Sequence, residues 1–98
     1  MDVTFADSSL DRLEVDATFS AGLGDGLVKA YRKAMQHIRA ASDERTFYSR
    51  RAFNFEKLRG AREEQYSMRL NDQWRLIVEI HGSSPKKIVH VIEITDYH

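Results

Sequence analysis

Cysteine is absent from the 98 residues, and proline occurs once, at Pro85. The first absence rules out disulfides and thiolate chemistry, and it fits a cytoplasmic home. No run of about eighteen apolar residues occurs, so no membrane span is expected. The opening Met1-Asp2-Val3-Thr4 lacks a basic stretch followed by an apolar one, so no secretory signal is expected. The histidines show no metal-ligand spacing, and Gly22, Gly24 and Gly26 do not match a phosphate loop. Neither a metal nor a cofactor is therefore expected. The length suits one domain, 1–98, with a modest core.

Net charge is missing too: fifteen bases balance fifteen acids. That argues against indiscriminate binding to nucleic acid, but the balance hides a polarised chain. Residues 1–20 carry five acids against one base, and residues 45–75 carry eight bases against four acids. Seven of those eight bases are arginine (Arg45, Arg50, Arg51, Arg59, Arg62, Arg69 and Arg75), joined by Lys57. A planar guanidinium fork suits phosphate oxygens better than an ammonium does. A basic middle segment of this kind attracts phosphate even in a neutral molecule. The plainer reading is that the charges solubilise a surface.

Val3-Thr4-Phe5 reads as a short strand. Ser8 or Ser9 suits the cap of a short helix bearing Leu10, Leu13 and Ala17. After the glycines, Asp25 suits the cap of a second helix. There Leu27, Tyr31, Ala34, Ile38 and Ala41 recur at intervals of four and three, a continuous apolar stripe. The intervening Lys29, Arg32, Lys33, Gln36 and Arg39 read as a solvated face. Residues 42–54 keep no period and read as a loop. From there the period becomes two: Tyr66, Met68 and Leu70, then Trp74, Leu76, Val78 and Ile80. A turn at Gly82–Pro85 leads to a long β-rich run, Ile88 to Tyr97. These elements imply an α+β domain, two N-terminal helices packed on a small antiparallel sheet.

Loop length sets hairpin register. A two-residue loop at Asn71-Asp72 would place Met68 opposite Arg75 and mix apolar with charged residues on both faces. A three-residue loop pairs Leu70 with Trp74, Arg69 with Arg75 and Met68 with Leu76, and it gathers the apolar residues on one face. The second register is preferred. It sets two guanidiniums directly opposite each other, at a cost of roughly 0.2–1 kcal/mol. An anion between them would offset that cost, and so would pairing of each arginine with an acid such as Glu79 or Asp72. The chain ends Asp96-Tyr97-His98, which is either a polar tail or a carboxylate, a phenol and an imidazole available for proton transfer. His37 and His90 read as structural, and His81 as exposed beside the turn.

Two blocks, Phe55-Glu56-Lys57-Leu58-Arg59-Gly60-Ala61-Arg62 and Gln65 to Leu76, together with Glu93 to His98, resemble the HigB toxins of the RelE superfamily. The match runs from Phe55 to His98, with a gap at Ser83–Lys87, and the N-terminal helices fit in layout only. The resemblance implies the RelE-like microbial ribonuclease fold. It also implies the toxin of a type II toxin–antitoxin module, a metal-independent endoribonuclease that cuts messenger RNA in the ribosomal A site and so stops translation. On that basis Arg75, with Arg69 beside it, would stabilise the phosphate in the transition state. His98 and Asp96 would exchange protons, and Tyr97 would stack on a base or orient the phosphate. Lys57 and Arg59 would hold the RNA backbone, and Arg45, Arg50, Arg51 and Arg62 would contact the ribosome. Many relatives carry His-Pro before the Leu-Lys-Gly stretch, where Glu56-Lys57 stands here. Either of these takes over that role, or the C-terminal cluster transfers protons alone. The implied partners are a helix-turn-helix antitoxin of the HigA type, the ribosome and messenger RNA, with no membrane. The toxin–antitoxin complex would bind operator DNA mainly through the antitoxin. Two alternatives share the fold: a ParE-like toxin that poisons gyrase, and an inactive toxin retained as a co-repressor.

Overall fold

The computed structural model describes residues 1–60, 65–83 and 85–96. Strand β1 (Asp2–Phe5) leads into helix α1 (Ser8–Val15) and the long helix α2 (Asp25–Ala40). A short helix α3 (Arg45–Ser49) and a 3-10 turn (Arg51–Phe53) follow. Strands β2 (Glu56–Lys57), β3 (Gln65–Arg69), β4 (Trp74–His81) and β5 (Ile88–Asp96) complete a sheet of order β1-β5-β4-β3-β2.

The α+β class and the two N-terminal helices match the expectation. The sheet differs, because β1 runs parallel to β5, with Val3 beside Val89 and Phe5 beside Val91. The sheet is therefore mixed rather than purely antiparallel. Alternation of side chains marks a strand but carries no information about its direction. Residues 42–54 also differ from the expected loop. Phe47 and Phe53 are buried there and meet edge to face, with centroids 6.4 Å apart. A helix of little more than one turn is too short to show a period, and burial of its aromatic residues decides its conformation.

Helix boundaries shift by a residue or two. Asp7, not a serine, caps α1 by accepting from the Ser9 backbone N–H at 2.8 Å. Asp25 is the first residue of α2, and Gly24 occupies the cap without a side-chain hydrogen bond. The predicted apolar stripe is buried throughout, and Val28 and Met35 widen it. Tyr31 is fully buried and donates its hydroxyl to the Leu10 carbonyl at 2.8 Å. Burial pushes its phenol above the ordinary tyrosine range. Two cations assigned to a solvated face act as ties instead. Arg32 donates to the carbonyls of Leu13, Asp16 and Phe19. Arg39 holds Glu14 through two bonds of 2.7 and 2.8 Å.

One face of the sheet carries the core: Met68, Leu76, Val78, Val89 and Val91 are all inaccessible to solvent. Burial of an apolar side chain of this size contributes roughly 1.5–3 kcal/mol. Val91 and Ile94 are an odd number of positions apart, yet both lie on this face. A bulge reconciles them: Ile77 pairs with Glu93 and Val78 with Val91, so Ile92 has no partner in the ladder. The same step puts Glu93 and His90 together on the opposite face, where the arginine pair lies.

Candidate active site

The β3–β4 hairpin is built by its own loop. Asn71 accepts from the backbone N–H groups of Gln73 and Trp74 at 2.9 and 2.8 Å, and Leu70 N–H donates to the Trp74 carbonyl at 3.0 Å. An asparagine that closes a turn on its own backbone in this way fixes loop length without help from the core. The result is the three-residue loop, with Arg69 opposite Arg75 and Met68 opposite Leu76.

The two arginines are not equivalent. Arg69 pairs with Asp72 in the loop, one of the two outcomes anticipated for it. Arg75 is only 7% exposed. It donates to the backbone carbonyl of Asn71 at 2.7 Å and to that of Trp74 at 3.2 Å. Its guanidinium is thus bound by the loop that it underlies, which restricts its orientation. Glu79, the other acid considered, accepts from Gln65 at 3.2 Å and bonds His81 at 2.8 Å. Those two hydrogen bonds, Gln65 first, hold its carboxyl below the ordinary glutamate value. His90 bonds Thr4 at 2.7 Å, in keeping with a structural role.

Register shows which residues share the arginine face. Arg69, Arg75 and Thr95 form one row across three strands, and Glu56, Ser67, Ile77 and Glu93 form the next row across four. Rows on one face repeat at about 6.6–6.8 Å. Two carboxylate residues therefore lie one row from the two guanidiniums. Ser67 is 1% exposed, and among the described residues its hydroxyl has no hydrogen-bond partner.

Other proposed site residues lie elsewhere. Asp96 pairs with Trp74, so its row belongs to the core face rather than the arginine face, and its carboxylate accepts from the Gln73 amide at 2.8 Å. Lys57 pairs with Tyr66 and shares the face opposite Glu56. Together with Arg59, Tyr48, Phe55, Leu58 and Gly60 it lines a cavity of about 560 Å³, to which Glu56 also contributes. Arg45 is ion-paired with Asp43 at 2.8 Å. Arg50 places its guanidinium 5.6 Å from the Phe53 ring, and Arg51 opens the 3-10 turn with its side chain exposed. Arg62, Tyr97 and His98 lie outside the described residues. Among the described residues no group of histidine and carboxylate side chains is placed to hold a metal. No helix there is long and apolar enough to cross a membrane.

Sequence reasoning left open whether Glu56, Lys57 or the C-terminal cluster alone takes the role of the histidine in relatives, and it passed over Tyr48. A two-residue strand offers no alternation to read, so only its pairing with β3 assigns Glu56 to the arginine face. Tyr48 stood in a stretch without a period, although an aromatic two residues before Arg50-Arg51 was a signal.

Comparison with known proteins bears on this arrangement. Residues 3–98 match the family model described as the RelE-like toxin of type II toxin–antitoxin system HigB. No curated protein sequence matches significantly. Among solved structures, the chain is similar to a YoeB/ParE toxin from Agrobacterium tumefaciens, with a TM-score of 0.68, 19% identity and full coverage of both chains. It is also similar to a chain of a YoeB–YefM complex from Staphylococcus aureus, with a TM-score of 0.61, 16% identity and coverage of 100% and 97%. A conserved hypothetical protein from Helicobacter pylori follows, at 0.51 and 11%, with coverage of 99% and 94%. Identities this low establish a shared fold.

Proposed function

The chain belongs to the HigB-like family of RelE-like toxins of type II toxin–antitoxin systems, and from that premise we propose that it is an endoribonuclease that cuts messenger RNA in the A site of the ribosome. RNA cleavage needs the 2′-hydroxyl to lose a proton as it attacks the adjacent phosphorus. The departing 5′-oxygen must gain a proton, and the charge that builds on the phosphorane must meet fixed cations. The reading is carried by one observation: Arg75, buried and bound by a loop carbonyl, faces Arg69 across the hairpin. Guanidiniums held in advance stabilise a developing anion without reorganising at the moment of reaction. Arg75 takes the phosphorane charge and Arg69 assists it.

Glu56 and the terminal residues Asp96 and His98 are the candidates for proton transfer. Glu56 has the advantage of facing the arginines. Tyr97 orients the phosphate or stacks on a base. Lys57 and Arg59 hold the RNA backbone, and Arg45, Arg50, Arg51 and Arg62 contact the ribosome. The chemistry needs no cofactor. A type II toxin has a protein antitoxin. We assign this one to the HigA-like helix-turn-helix class, so that operator binding by the pair goes mainly through the antitoxin, in the cytoplasm.

The test is cleavage of a defined message in a reconstituted translation reaction, with Arg75→Ala and a chain lacking His98 as controls. Site-specific cuts by the wild type, lost with Arg75→Ala, support the reading. Growth arrest without any cut, accompanied by inhibition of gyrase, would replace it with the ParE-like alternative. A chain that arrests nothing would be a co-repressor.

A further inference from the structure

The cavity at the β2 edge has a composition that RNA backbone contacts alone do not require. Tyr48 is 54% exposed, one of two large hydrophobic residues so exposed among the described residues, the other being Val15 at the end of α1. Tyr48 borders this cavity. The ring is held on a rigid base. It meets Phe55 nearly perpendicularly at 4.9 Å, Phe55 stacks flat on Tyr66 at 5.2 Å, and Phe47 meets Phe55 from the core at 5.3 Å. Ordering Tyr48 against a ligand therefore sacrifices little conformational freedom. Beside it stand two cations, Lys57 and Arg59, against one acid, Glu56. Among the described residues neither cation has an ion-pair partner. Gly60 turns the chain at φ +77, and among the described residues no atom lies within 4 Å of where a Cβ would stand. A volume of about 560 Å³ lies within the usual range for small-ligand sites, about 300–1,000 Å³.

We propose that this cavity is a nucleotide subsite, in which the Tyr48 ring stacks on a base while Lys57 and Arg59 hold the attached phosphate. An aromatic face beside paired cations is the usual arrangement for gripping a single-stranded nucleotide, because every base has a π-face and every nucleotide a charge. Glu56 lines the cavity while its register row borders the arginine pair, so the strand edge joins the two places. The base held here flanks the phosphate that is cut. The assignment of an RNA ligand rests on the nuclease reading. The subsite itself does not, since it should grip a free nucleotide without a ribosome.

The experiment titrates the isolated protein with adenosine 5′-monophosphate, and separately with inorganic phosphate, following backbone amide and tyrosine ring resonances by NMR. The nucleotide should shift the Tyr48 ring and the amides from Lys57 to Gly60. Phosphate alone should bind at least tenfold more weakly and leave the ring unmoved. Tyr48→Ala should lose about tenfold or more in nucleotide affinity, as stacking on one aromatic predicts. Tyr48→Phe should keep that affinity, and both variants should melt as the wild type does. Equal binding of phosphate and nucleotide, or unchanged affinity in Tyr48→Ala, overturns the subsite. So does a Tyr48 ring that responds only to the purified antitoxin. Nucleotide binding here by a protein that cuts no message on the ribosome would uphold the subsite and defeat the nuclease reading. Cleavage without nucleotide binding would do the reverse.

Discussion

Arg75 donates to the backbone carbonyl of Asn71, four residues earlier, at 2.7 Å, so the loop that positions the guanidinium is also stabilised by it. Arg75→Ala should therefore lower both stability and cleavage, by different amounts. The lost hydrogen bond to a charged donor is worth roughly 1.5–3 kcal/mol, read as a shift in the urea midpoint at constant slope. Loss of a preorganised cation from the transition state should cost about 10²–10³-fold in the single-turnover cleavage rate. Arg75→Lys keeps the charge but not the fork, and should recover stability more than rate.

Asn71→Ala separates the loop from the cation. The Asn71 side chain accepts from two backbone N–H groups, those of Gln73 and Trp74. Without it the turn loses the contacts that favour a three-residue loop, at a cost of about 1–3 kcal/mol. Cleavage should fall with Arg75 still present, because the arginine is then held by a loosened carbonyl. A variant with wild-type cleavage would show that the loop does not orient Arg75.

Much of this architecture is legible in the sequence, and the losses have physical causes. The α2 stripe and the Arg69–Arg75 register follow from periodicity and from the need to keep Met68 and Leu76 on one face, and both are observed. The parallel β1–β5 pair and the bulge at Ile92 do not follow, since local alternation fixes neither strand direction nor a one-residue slip. Asp96 illustrates the consequence. The resemblance made it a candidate for proton transfer, and its pairing with Trp74 assigns its row to the face opposite the arginines. Resemblance supplied the family and the roles of residues. It could not say which of Glu56 and Lys57 faces the cations, because that depends on two ladder pairs at the sheet edge.

Phe47 tests the segment that has no sequence period. Its side chain is fully buried against Phe53 and Phe55. Phe47→Ala should destabilise the protein by about 3–5 kcal/mol, the range for a buried aromatic. A surface loop would give less than about 0.5 kcal/mol. Thermal and urea unfolding distinguish the two.

Acid should weaken the fold partly through Glu79. Hydrogen bonds from Gln65 and His81 lower its carboxyl below the ordinary value of 4.5 in the folded chain. A group depressed on folding contributes stability that is present above its unfolded pKa and lost as pH falls through the folded one. The contribution of Glu79 is therefore intact at neutral pH and disappears below about pH 4.5. Glu79→Gln should melt lower than wild type at pH 7, and the gap should close towards pH 3. A constant gap across that range would mean that the stabilisation does not depend on charge.

Glu56 and Lys57 are neighbours in sequence but occupy opposite faces of the sheet, which gives the site its sharpest test. If Glu56 exchanges a proton with the RNA, Glu56→Gln should lower the cleavage rate at saturating ribosome by about 10²–10⁴-fold. The apparent affinity should change little. Lys57→Gln should instead raise the concentration needed for half-maximal rate while the maximal rate holds, since a backbone cation binds ground state and transition state alike. Neither variant should unfold, because both side chains are exposed. A rate loss in Lys57→Gln with Glu56→Gln unaffected would mean that chemistry occurs on the cavity side of β2, and the arginine face would then lose its claim to the scissile phosphate.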